Sequence, residues 1–282
     1  MMRGLFGDVG EKSLRFVRLC TDRGPKEALM RTIQFLRYHL TRLASQNPIY
    51  VPAVRLHRRI GHHLEPLAFT DADPFKLIYI DPEDVTLQQT YVCTDPRVVF
   101  DDRNRFHKWM NVGKVVDGDW DRATSQLGKR DRYQVIKERF AEGKRWEETT
   151  FILEVIADVE RGNERWNSCS SRREVRERCR RLDELYESIQ ADGYHRRGPF
   201  GPFDWREEFD ELTVNIDRNG NFIRNISGGH RLFMAKIAGI ERIPARVLLR
   251  HRDWQRTRNQ LRNRSHVAES VLDHPDLADI SR

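Results

Sequence analysis

The chain has 282 residues, of which 38% are hydrophobic and 33% are charged. This proportion of apolar residues is enough for a folded core, and no run approaches the roughly 18 apolar residues that a membrane-spanning helix needs. The formal net charge is +7, and residues 1–70, with twelve Lys/Arg and five Asp/Glu, account for all of it because twelve minus five is seven. The basic character therefore belongs to the N-terminal part of the chain.

This basic N-terminal part has the pattern of helices. Residues 11–21 form a short candidate, and a longer one runs from Pro25 to about Ala44. A basic amphipathic helix of this kind either packs on its own protein, lies on an anionic membrane surface or contacts nucleic acid. Four prolines between residues 45 and 74 suggest an extended connector, so we assign residues 1–72 to a helical extension and linker. The apolar positions of the longer helix are Leu29, Ile33, Leu36, Leu40 and Leu43, and its basic residues are Lys26, Arg31, Arg37 and Arg42.

The middle of the chain begins with a strand pattern at residues 75–80, followed by a turn, Asp81–Val85. Residues 101–168 are too long for a plain loop and too patterned for disorder, so we interpret them as an insertion that forms one wall of a cleft. Within it, a strand is predicted near Val112–Val116 and a helix at Asp131–Ala141. The run Phe151–Ile156 fits a strand or a helix equally well.

Three acidic residues of this insertion are candidates for chemistry. Asp119 and Asp121 flank Trp120, and Glu147 follows Trp146. Carboxylate oxygens bind hard cations such as Mg²⁺, and a carboxylate can orient or deprotonate the hydroxyl that attacks in phosphoryl transfer. We therefore take Asp119 and Asp121 as candidate metal ligands, and all three as candidate catalytic residues. In the alternative, the tryptophans anchor the core and the acids are solvated or cap helices.

An arginine-rich helix follows the insertion and ends at Gly193. Ser171 and Glu174 have the spacing of a capping box. The arginines of residues 172–181 alternate with glutamates at the spacing of i,i+3 and i,i+4 pairs, which predicts salt bridges along the helix surface.

A diglycine bend lies between a strand and a helix near the C-terminus. Two strands are predicted at residues 211–216 and 219–226, and the sequence then continues Ser227-Gly228-Gly229-His230-Arg231 into an apolar helix. Glycines leave backbone N–H groups uncovered, the first turn of a helix has free donors, and an arginine adds a cation. The pattern therefore indicates a phosphate or anion site, unless the glycines only relieve a steric conflict.

His230 and Ser227 add two side chains to this candidate site. The helix dipole disfavours an imidazolium at a helix start, so we expect His230 to be neutral and able to bond a phosphate oxygen or carry a proton. Ser227 can donate to the same anion, although nothing activates it as a nucleophile.

The order of these elements resembles the ParB/sulfiredoxin-like domain family over about residues 75–250. The resemblance implies an α+β fold with a ParB/sulfiredoxin-like core at residues 73–250, an N-terminal helical extension, an internal insertion at 101–168 and a basic C-terminal tail at 251–282. The matching positions are Ile80–Val85, Leu182–Gly193, Gly228, Arg231, Leu232, Ala235, Gly239, Ile243, Pro244 and Val247.

The bend departs from each functional branch of that family. Sulfiredoxins have a cysteine in a G-G-C-H-R turn, and its absence here disfavours sulfinic-acid reduction. Chromosome-partition members bind CTP through G-E-R-R, and free-serine kinases have D-G-H-x-R, where Ser227 replaces the aspartate. The resemblance thus implies a phosphate-recognising scaffold and leaves the reaction open.

We hypothesise nucleotide-dependent phosphoryl transfer or hydrolysis. ATP, ADP or CTP would bind with Mg²⁺, its phosphates held by Ser227, Gly228, Gly229, His230 and Arg231. The alternative is a ParB-like DNA-binding module, or a nuclease, with nucleic acid as the partner. Four cysteines without paired spacing, and no secretory signal, favour a cytoplasmic location, peripheral at the membrane if the N-terminal helices bind lipid. The basic tail is expected to be a helix or a solvated extension.

Overall fold

The computed structural model of the protein describes residues 49–90, 98, 108–195, 211–225 and 227–280. The helices predicted at residues 11–21 and 25–44, with the membrane contact suggested for them, lie outside these ranges. The described residues combine helices with a mixed sheet, so the α+β prediction is confirmed. None of the helices in these ranges has both the length and the apolar character that crossing a bilayer requires.

Seven strands form one sheet in the described residues. They are β1 (Leu77–Ile80), β2 (Leu87–Gln89), β3 (Lys114–Val116), β4 (Thr124–Gln126), β5 (Leu212–Ile216), β6 (Phe222–Arg224) and β7 (Ile243–His251). Their order is β1-β7-β5-β6-β2-β4, and β3 also pairs with β7. The β5–β7, β6–β2 and β3–β7 pairs are parallel, and the other pairs are antiparallel. Every residue of β7 is buried, because strands cover both of its edges.

The helices lie on both faces of this sheet. They are α1 (Tyr50–Leu64), α2 (Lys108–Asn111), α3 (Asp131–Phe140), α4 (Thr150–Glu160), α5 (Arg172–Asp192), α6 (Gly229–Ile237) and α7 (Arg252–Arg262). Helices α3 to α6 bury their apolar faces in the larger hydrophobic cluster. Val51 of α1 joins a second cluster with Trp120 and Leu248.

The predicted order around the bend is confirmed. Strand β1 is followed by a 3₁₀ turn at Pro82–Asp84, where Asp81 accepts a hydrogen bond from the Glu83 N–H at 2.8 Å. Helix α5 ends at Gly193, whose φ of 80° closes the helix in the way that glycine allows. The β5–β6 hairpin, the bend, α6 and β7 then follow in the expected sequence.

The described part of residues 101–168 is built into the central sheet and the core, and its status as an insertion stays a prediction. Strand β3 pairs with β7, and β4 pairs with β2, so both belong to the central sheet. The ring of Tyr133 packs edge-on against that of Phe233 at 5.2 Å, which joins α3 to α6. The ambiguous run Phe151–Ile156 lies in α4. Sheet pairing explains this integration, because it satisfies the backbone groups of β3 and β4.

The extended connector predicted before residue 74 is also wrong, since α1 occupies much of it. Pro52 stands in the first turn of α1, where its missing N–H has no intrahelical partner to lose. The guanidinium of Arg58 is buried and its Nε donates to the Val112 carbonyl at 2.8 Å. This contact anchors α1 to the domain.

The C-terminal segment is part of the core and not a solvated basic tail. Arg258 is fully buried and pairs with Asp71 at 2.9 Å and with Asp279 at 3.0 Å. Asp276, also fully buried, accepts from Arg250 Nε at 2.9 Å. Burial opposes its ionisation, but the cations Arg250 and Arg258 hold the pKa of Asp276 well below the usual range. The buried arginines Arg250 and Arg258 are therefore neutralised by acids that are distant in sequence.

Candidate functional site

The bend needs both of its glycines for steric reasons. Gly228 has φ 75° and caps α6, and a Cβ at this position would lie 2.6 Å from the Cα of Leu212. A Cβ at Gly229 would overlap the guanidinium of Arg224. The first intrahelical bond runs from the Leu232 N–H to the Gly228 carbonyl at 3.0 Å. The three preceding N–H groups have no acceptor within the helix, as is general for a helix start, and this is the arrangement that anions bind.

His230 places a neutral imidazole at this helix start. Its Nε2 is buried and has no hydrogen-bond partner among the described residues. Burial, together with the positive charges of Arg178, Arg132 and Arg224, lowers the pKa of His230 to about 3. An imidazole surrounded by cations and lacking an acceptor is suited to donate from its ring N–H to an anion.

Arg178 supplies a cation that no carboxylate in the described part of the chain pairs with. It lies on α5, its guanidinium stacks on the Trp166 ring at 4.8 Å, and its Nε is buried without a partner. Burial lowers its pKa, and the neighbouring charge of Arg132 acts in the same direction. A half-buried guanidinium of this kind is costly unless an anion compensates it.

The neighbouring arginines of α5 behave as the sequence predicted. Arg180 pairs with Glu177 at 2.7 Å and also with Glu184, and Arg181 pairs with Glu177 at 3.4 Å. All of these side chains are exposed, so the pairs are surface salt bridges. Arg178 differs because it lies on the buried side of α5.

Trp166 belongs to an unusual backbone segment beside Arg178. Trp166, Asn167 and Ser168 have φ values of 52°, 63° and 61°, which non-glycine residues rarely adopt. A bridge between Arg165 and Cys169 closes this turn. The indole is buried, and its Nε1 has no partner among the described residues. The left-handed turn therefore holds the Trp166 Nε1–H, which lacks an acceptor, beside the Arg178 guanidinium, which lacks a carboxylate partner.

Two more arginines complete a group that we call the cationic niche. Arg224 of β6 donates from Nη1 to Gln88 Oε1 at 2.8 Å, and its guanidinium lies over the Phe233 ring at 5.6 Å. Arg132 stands exposed in the first turn of α3. The niche therefore draws on α3, α5, β6 and α6 and on the turn that holds Trp166, and Arg132 is an exposed member. Its members are Arg132, Trp166, Arg178, Arg224, Gly228, Gly229 and His230.

Arg231, which the sequence assigned to phosphate, faces a carboxylate. Its Nη1 lies 3.7 Å from Glu211 Oε2, and its guanidinium lies over the Tyr194 ring at 5.9 Å. The Tyr194 hydroxyl donates to the same Glu211 carboxylate at 3.5 Å. Only 12% of the Arg231 side chain is exposed, and the Glu211 carboxylate offsets its charge, although its buried Nη1 makes no hydrogen bond to the described residues. Ser227 is half-buried, and its N–H donates to Thr213 Oγ1 at 3.3 Å.

The two aspartates proposed as metal ligands are held by a different arginine. Arg218 Nε donates to Asp121 at 2.7 Å, and its Nη2 donates to Asp119 at 2.8 Å. Burial raises the pKa of Asp121, but the hydrogen bonds from Arg218 outweigh it and leave that pKa below its usual value. Among the residues that the structure describes, no group of three or more His, Cys, Asp or Glu is placed to hold a metal ion.

These aspartates and the bend lie at opposite ends of β5. Gly228 touches Leu212 at the first residue of β5, and Arg218 follows its last residue, Ile216. Leu212 and Ile216 are four residue steps apart along an extended strand, which is about 13 Å at 3.3 Å per residue. The structure therefore does not bring Asp119 and Asp121 together with the bend.

Glu147 lines a separate pocket of about 170 Å³ together with Arg176, Cys179 and Asp183. Trp146 Nε1 donates to Asp183 Oδ2 at 2.9 Å, which fixes the wall of this pocket. Burial raises the pKa of Cys179 to about 12, so its thiol is protonated. Glu147 is not among the charges that act on His230.

The residues that make the niche cationic were not predicted from the sequence. One signal for Arg178 was present, because it lies three residues after Val175 and four before Leu182, and both are buried. An arginine on the apolar side of an amphipathic helix indicates a buried cation. No local signal indicates that Arg132, Trp166 and Arg224 meet it. Comparison of the chain with protein-family models, with curated proteins and with solved structures finds no match.

Proposed function

We propose that the protein binds a phosphorylated ligand, with a nucleotide as the first candidate, in the cationic niche. One observation carries this proposal. Arg178 Nε, Trp166 Nε1 and His230 Nε2 are buried without hydrogen-bond partners among the described residues, and His230 lies in the first turn of α6, where helix N–H groups lack intrahelical acceptors. Buried polar groups in folded proteins are almost always satisfied, so such a cluster indicates a ligand that completes it.

The charge of the niche favours a phosphate over a neutral ligand. Arg132, Arg178 and Arg224 bring three guanidinium groups, and all three act on the same imidazole. A phosphate has two negative charges near neutral pH and several acceptor oxygens, and it binds arginine through charge-assisted hydrogen bonds. His230, kept neutral by these cations, adds a donor without adding repulsion.

Binding in the niche is expected not to need Mg²⁺. The carboxylates first assigned to the metal, Asp119 and Asp121, are bound to Arg218 at the far end of β5. Phosphoryl transfer or hydrolysis, which we keep as a proposal for the same ligand, would need a carboxylate from elsewhere in the protein. Release of phosphate from ATP, ADP, CTP or GTP, with and without Mg²⁺, tests whether the protein hydrolyses its ligand.

The binding test is calorimetric titration of the full chain with ATP, ADP, CTP, GTP and inorganic phosphate. Replacing Arg178 by glutamine should weaken binding about 10- to 100-fold, since it removes a charge-assisted hydrogen bond worth about 1.5–3 kcal/mol. Arg180→Gln is the matched control, because Arg180 lies on the same helix but pairs with Glu177. Absence of binding by all five ligands, or equal loss in both variants, would refute the proposal.

We also propose that the core is ParB/sulfiredoxin-like. The support is the order of elements: β1 and its capped turn, α5 ending at Gly193, the β5–β6 hairpin, the Gly228 bend, α6, and β7. A nucleic-acid role in the family's manner is the alternative. Binding of duplex DNA that falls steeply with salt, and that Arg178→Gln leaves unchanged, would favour that alternative.

A further inference from the structure

Helix α1 carries an exposed apolar face. Leu56, Ile60 and Leu64 expose 59%, 52% and 73% of their surface, and Ala53 is exposed as well. Their spacings of three and four residues place them on one side of the helix, one turn apart. We call these four residues the α1 face. Exposed apolar residues that are contiguous on a folded protein indicate an interaction site.

The opposite side of α1 is held against the domain. Val51 packs in the second hydrophobic cluster, and Arg58 donates to the carbonyls of Val112 and Met110 at 2.8 and 3.1 Å. Burial lowers the pKa of Arg58 to about 10, in keeping with its inward position. The helix cannot turn the α1 face inward without breaking these contacts, so the face stays directed outward.

The charged side chains of α1 are all basic. Its 15 residues include three arginines and three histidines, and the first carboxylate, Glu65, follows the end of the helix. Arg59 and His63, four positions apart, are exposed along one flank of the α1 face. Arg55, one turn earlier on that flank, is 44% exposed and pairs with Asp73 at 3.0 Å. The α1 face therefore has a cationic border.

Apolar side chains with a cationic border fit the surface of an anionic lipid bilayer. A helix of this kind lies in the plane of the interface, with its apolar side chains at the acyl chains and its cations among the head groups. The 15 residues of α1 are about 22 Å long at 1.5 Å per residue, and the hydrocarbon core of a bilayer is about 30 Å thick. The length of α1 therefore suits a helix that lies on the bilayer.

Two other kinds of partner fit the α1 face less well. A second copy of the chain would bring an identical cationic border close to the first, and like charges repel at short range. Nucleic acid would attract the arginines, but its phosphate backbone offers no apolar surface to Leu56, Ile60 and Leu64. An anionic lipid surface satisfies both the apolar and the charged side chains.

We propose that α1 docks the protein on an anionic phospholipid surface. Leu56, Ile60 and Leu64 enter the interface, and Arg59 lies among the anionic head groups. The docking is reversible, because so few apolar side chains bind far less tightly than a spanning helix does. The α1 face is separate from the cationic niche, since α1 packs in the second hydrophobic cluster whereas α5 and α6 pack in the larger one.

Cosedimentation of the full chain with vesicles tests the docking. The protein should bind vesicles of phosphatidylcholine and phosphatidylserine, and should bind pure phosphatidylcholine vesicles about 5-fold more weakly or less, because the attraction of its basic residues is lost. Ile60→Glu should weaken binding to the mixed vesicles by about 10-fold or more, because it replaces an apolar contact by a charge that these vesicles repel.

Leu153→Glu is the matched control. Leu153 of α4 is 53% exposed, against 52% for Ile60, and it lies outside the α1 face. This variant should bind the mixed vesicles as the wild-type protein does. Near-ultraviolet circular dichroism should show that both glutamate variants are folded.

Two further measurements locate the contact. Amides of α1 should exchange about 10-fold more slowly when the mixed vesicles are added, while those of α4 should not change. Arg59→Gln should weaken binding about 5-fold at low ionic strength and less in high salt, because ions screen the attraction. Arg178→Gln should have no effect, since the niche takes no part in the docking.

Three results would overturn the proposal. The first is absence of binding to the mixed vesicles by the wild-type protein. The second is an equal loss of binding in Ile60→Glu and Leu153→Glu. The third is a dimer in analytical ultracentrifugation that Ile60→Glu dissociates, which would assign the α1 face to a second copy of the chain.

Discussion

The two ends of strand β5 handle charge in opposite ways. At the C-terminal end, Arg218 is enclosed by Asp119 and Asp121 within 2.8 Å, so positive and negative charges are matched. At the N-terminal end, Arg178 and His230 lie near the Gly228 bend without a carboxylate that the described residues supply. The paired charges at the C-terminal end stabilise the fold without a ligand. The unpaired cations at the N-terminal end can be compensated by an anionic ligand.

The largest expected effect comes from the glycines at these two ends. Gly228→Ala should lower the free energy of unfolding by about 3 kcal/mol, because it adds backbone strain at φ 75° and pushes a Cβ into the backbone of Leu212. Gly118→Ala, beside Asp119, has φ 90° but open space around it, so only the strain of about 1 kcal/mol is expected. Urea denaturation measures both. Equal losses would show that the bend is not closely packed.

The next effect concerns the matched charges. Asp121→Asn should lower the free energy of unfolding by about 2 kcal/mol, because it leaves Arg218 without its buried partner. Arg218 is partly exposed, so water offsets some of the loss. Asp119→Asn removes an exposed carboxylate and should cost no more than about 0.5 kcal/mol. Neither change should alter ligand affinity in calorimetric titration. A loss of nucleotide binding in Asp119→Asn or Asp121→Asn would restore the metal-site interpretation.

Lowering the pH should destabilise the protein through His230, at the N-terminal end of β5. The pKa of His230 is about 3 in the folded protein against an ordinary value of 6.5, so the unfolded chain binds more protons between these values. Stability is therefore lost as the pH falls below 6.5, by about 1.4 kcal/mol per pH unit at most. The effect should reach about 1 kcal/mol between pH 6.5 and 5.5 in chemical denaturation.

Two controls isolate this histidine. His274 also has a lowered pKa because of burial, so His230→Gln should remove only part of the slope. Saturating phosphate should flatten the slope further in the wild-type protein, since an anion in the niche stabilises the imidazolium. If His230→Gln leaves the pH dependence unchanged, the imidazole is not buried among cations as described.

The smallest effect on stability is expected from the residue with the largest effect on binding. Arg178→Met removes an uncompensated charge and also the stacking on Trp166, and these contributions oppose each other. The unfolding free energy should stay within about 0.5 kcal/mol of the wild-type value. Thermal denaturation in the absence of ligand checks this. A loss of several kcal/mol would mean that Arg178 is structural.

The sequence predicted local elements well where a single residue type decides the backbone. Gly228 and Gly193 have positive φ, Ser171 accepts from the Glu174 N–H at 3.3 Å, and the apolar stripe of α5 is buried. The prediction of a connector failed at α1, because Pro52 is compatible with a first helical turn. The place of β3 in the central sheet could not be predicted, because its pairing depends on a partner strand more than 100 residues away.

Only part of the candidate site could be predicted from the sequence. The bend and the neutral state of His230 followed from glycine geometry and the helix dipole. The pairing of the charges could not be predicted from the sequence. Arg231 pairs with Glu211, and Arg178 does not pair with its helical neighbours. Successive side chains on a helix differ in direction by about 100°. Arg178 and Arg180, two positions apart on α5, therefore face different surroundings.

Most local elements, the bend and the uneven distribution of basic residues could be predicted from the sequence, because they depend on neighbours within a few positions. Which charges are neutralised depends on the folded arrangement. Coulomb interactions depend on distance in space, and folding brings Asp71 to Arg258 and Arg178 to His230 across long stretches of chain. The buried arginines of the C-terminal segment thus became structural, and the cationic niche became the site that we propose for a phosphorylated ligand.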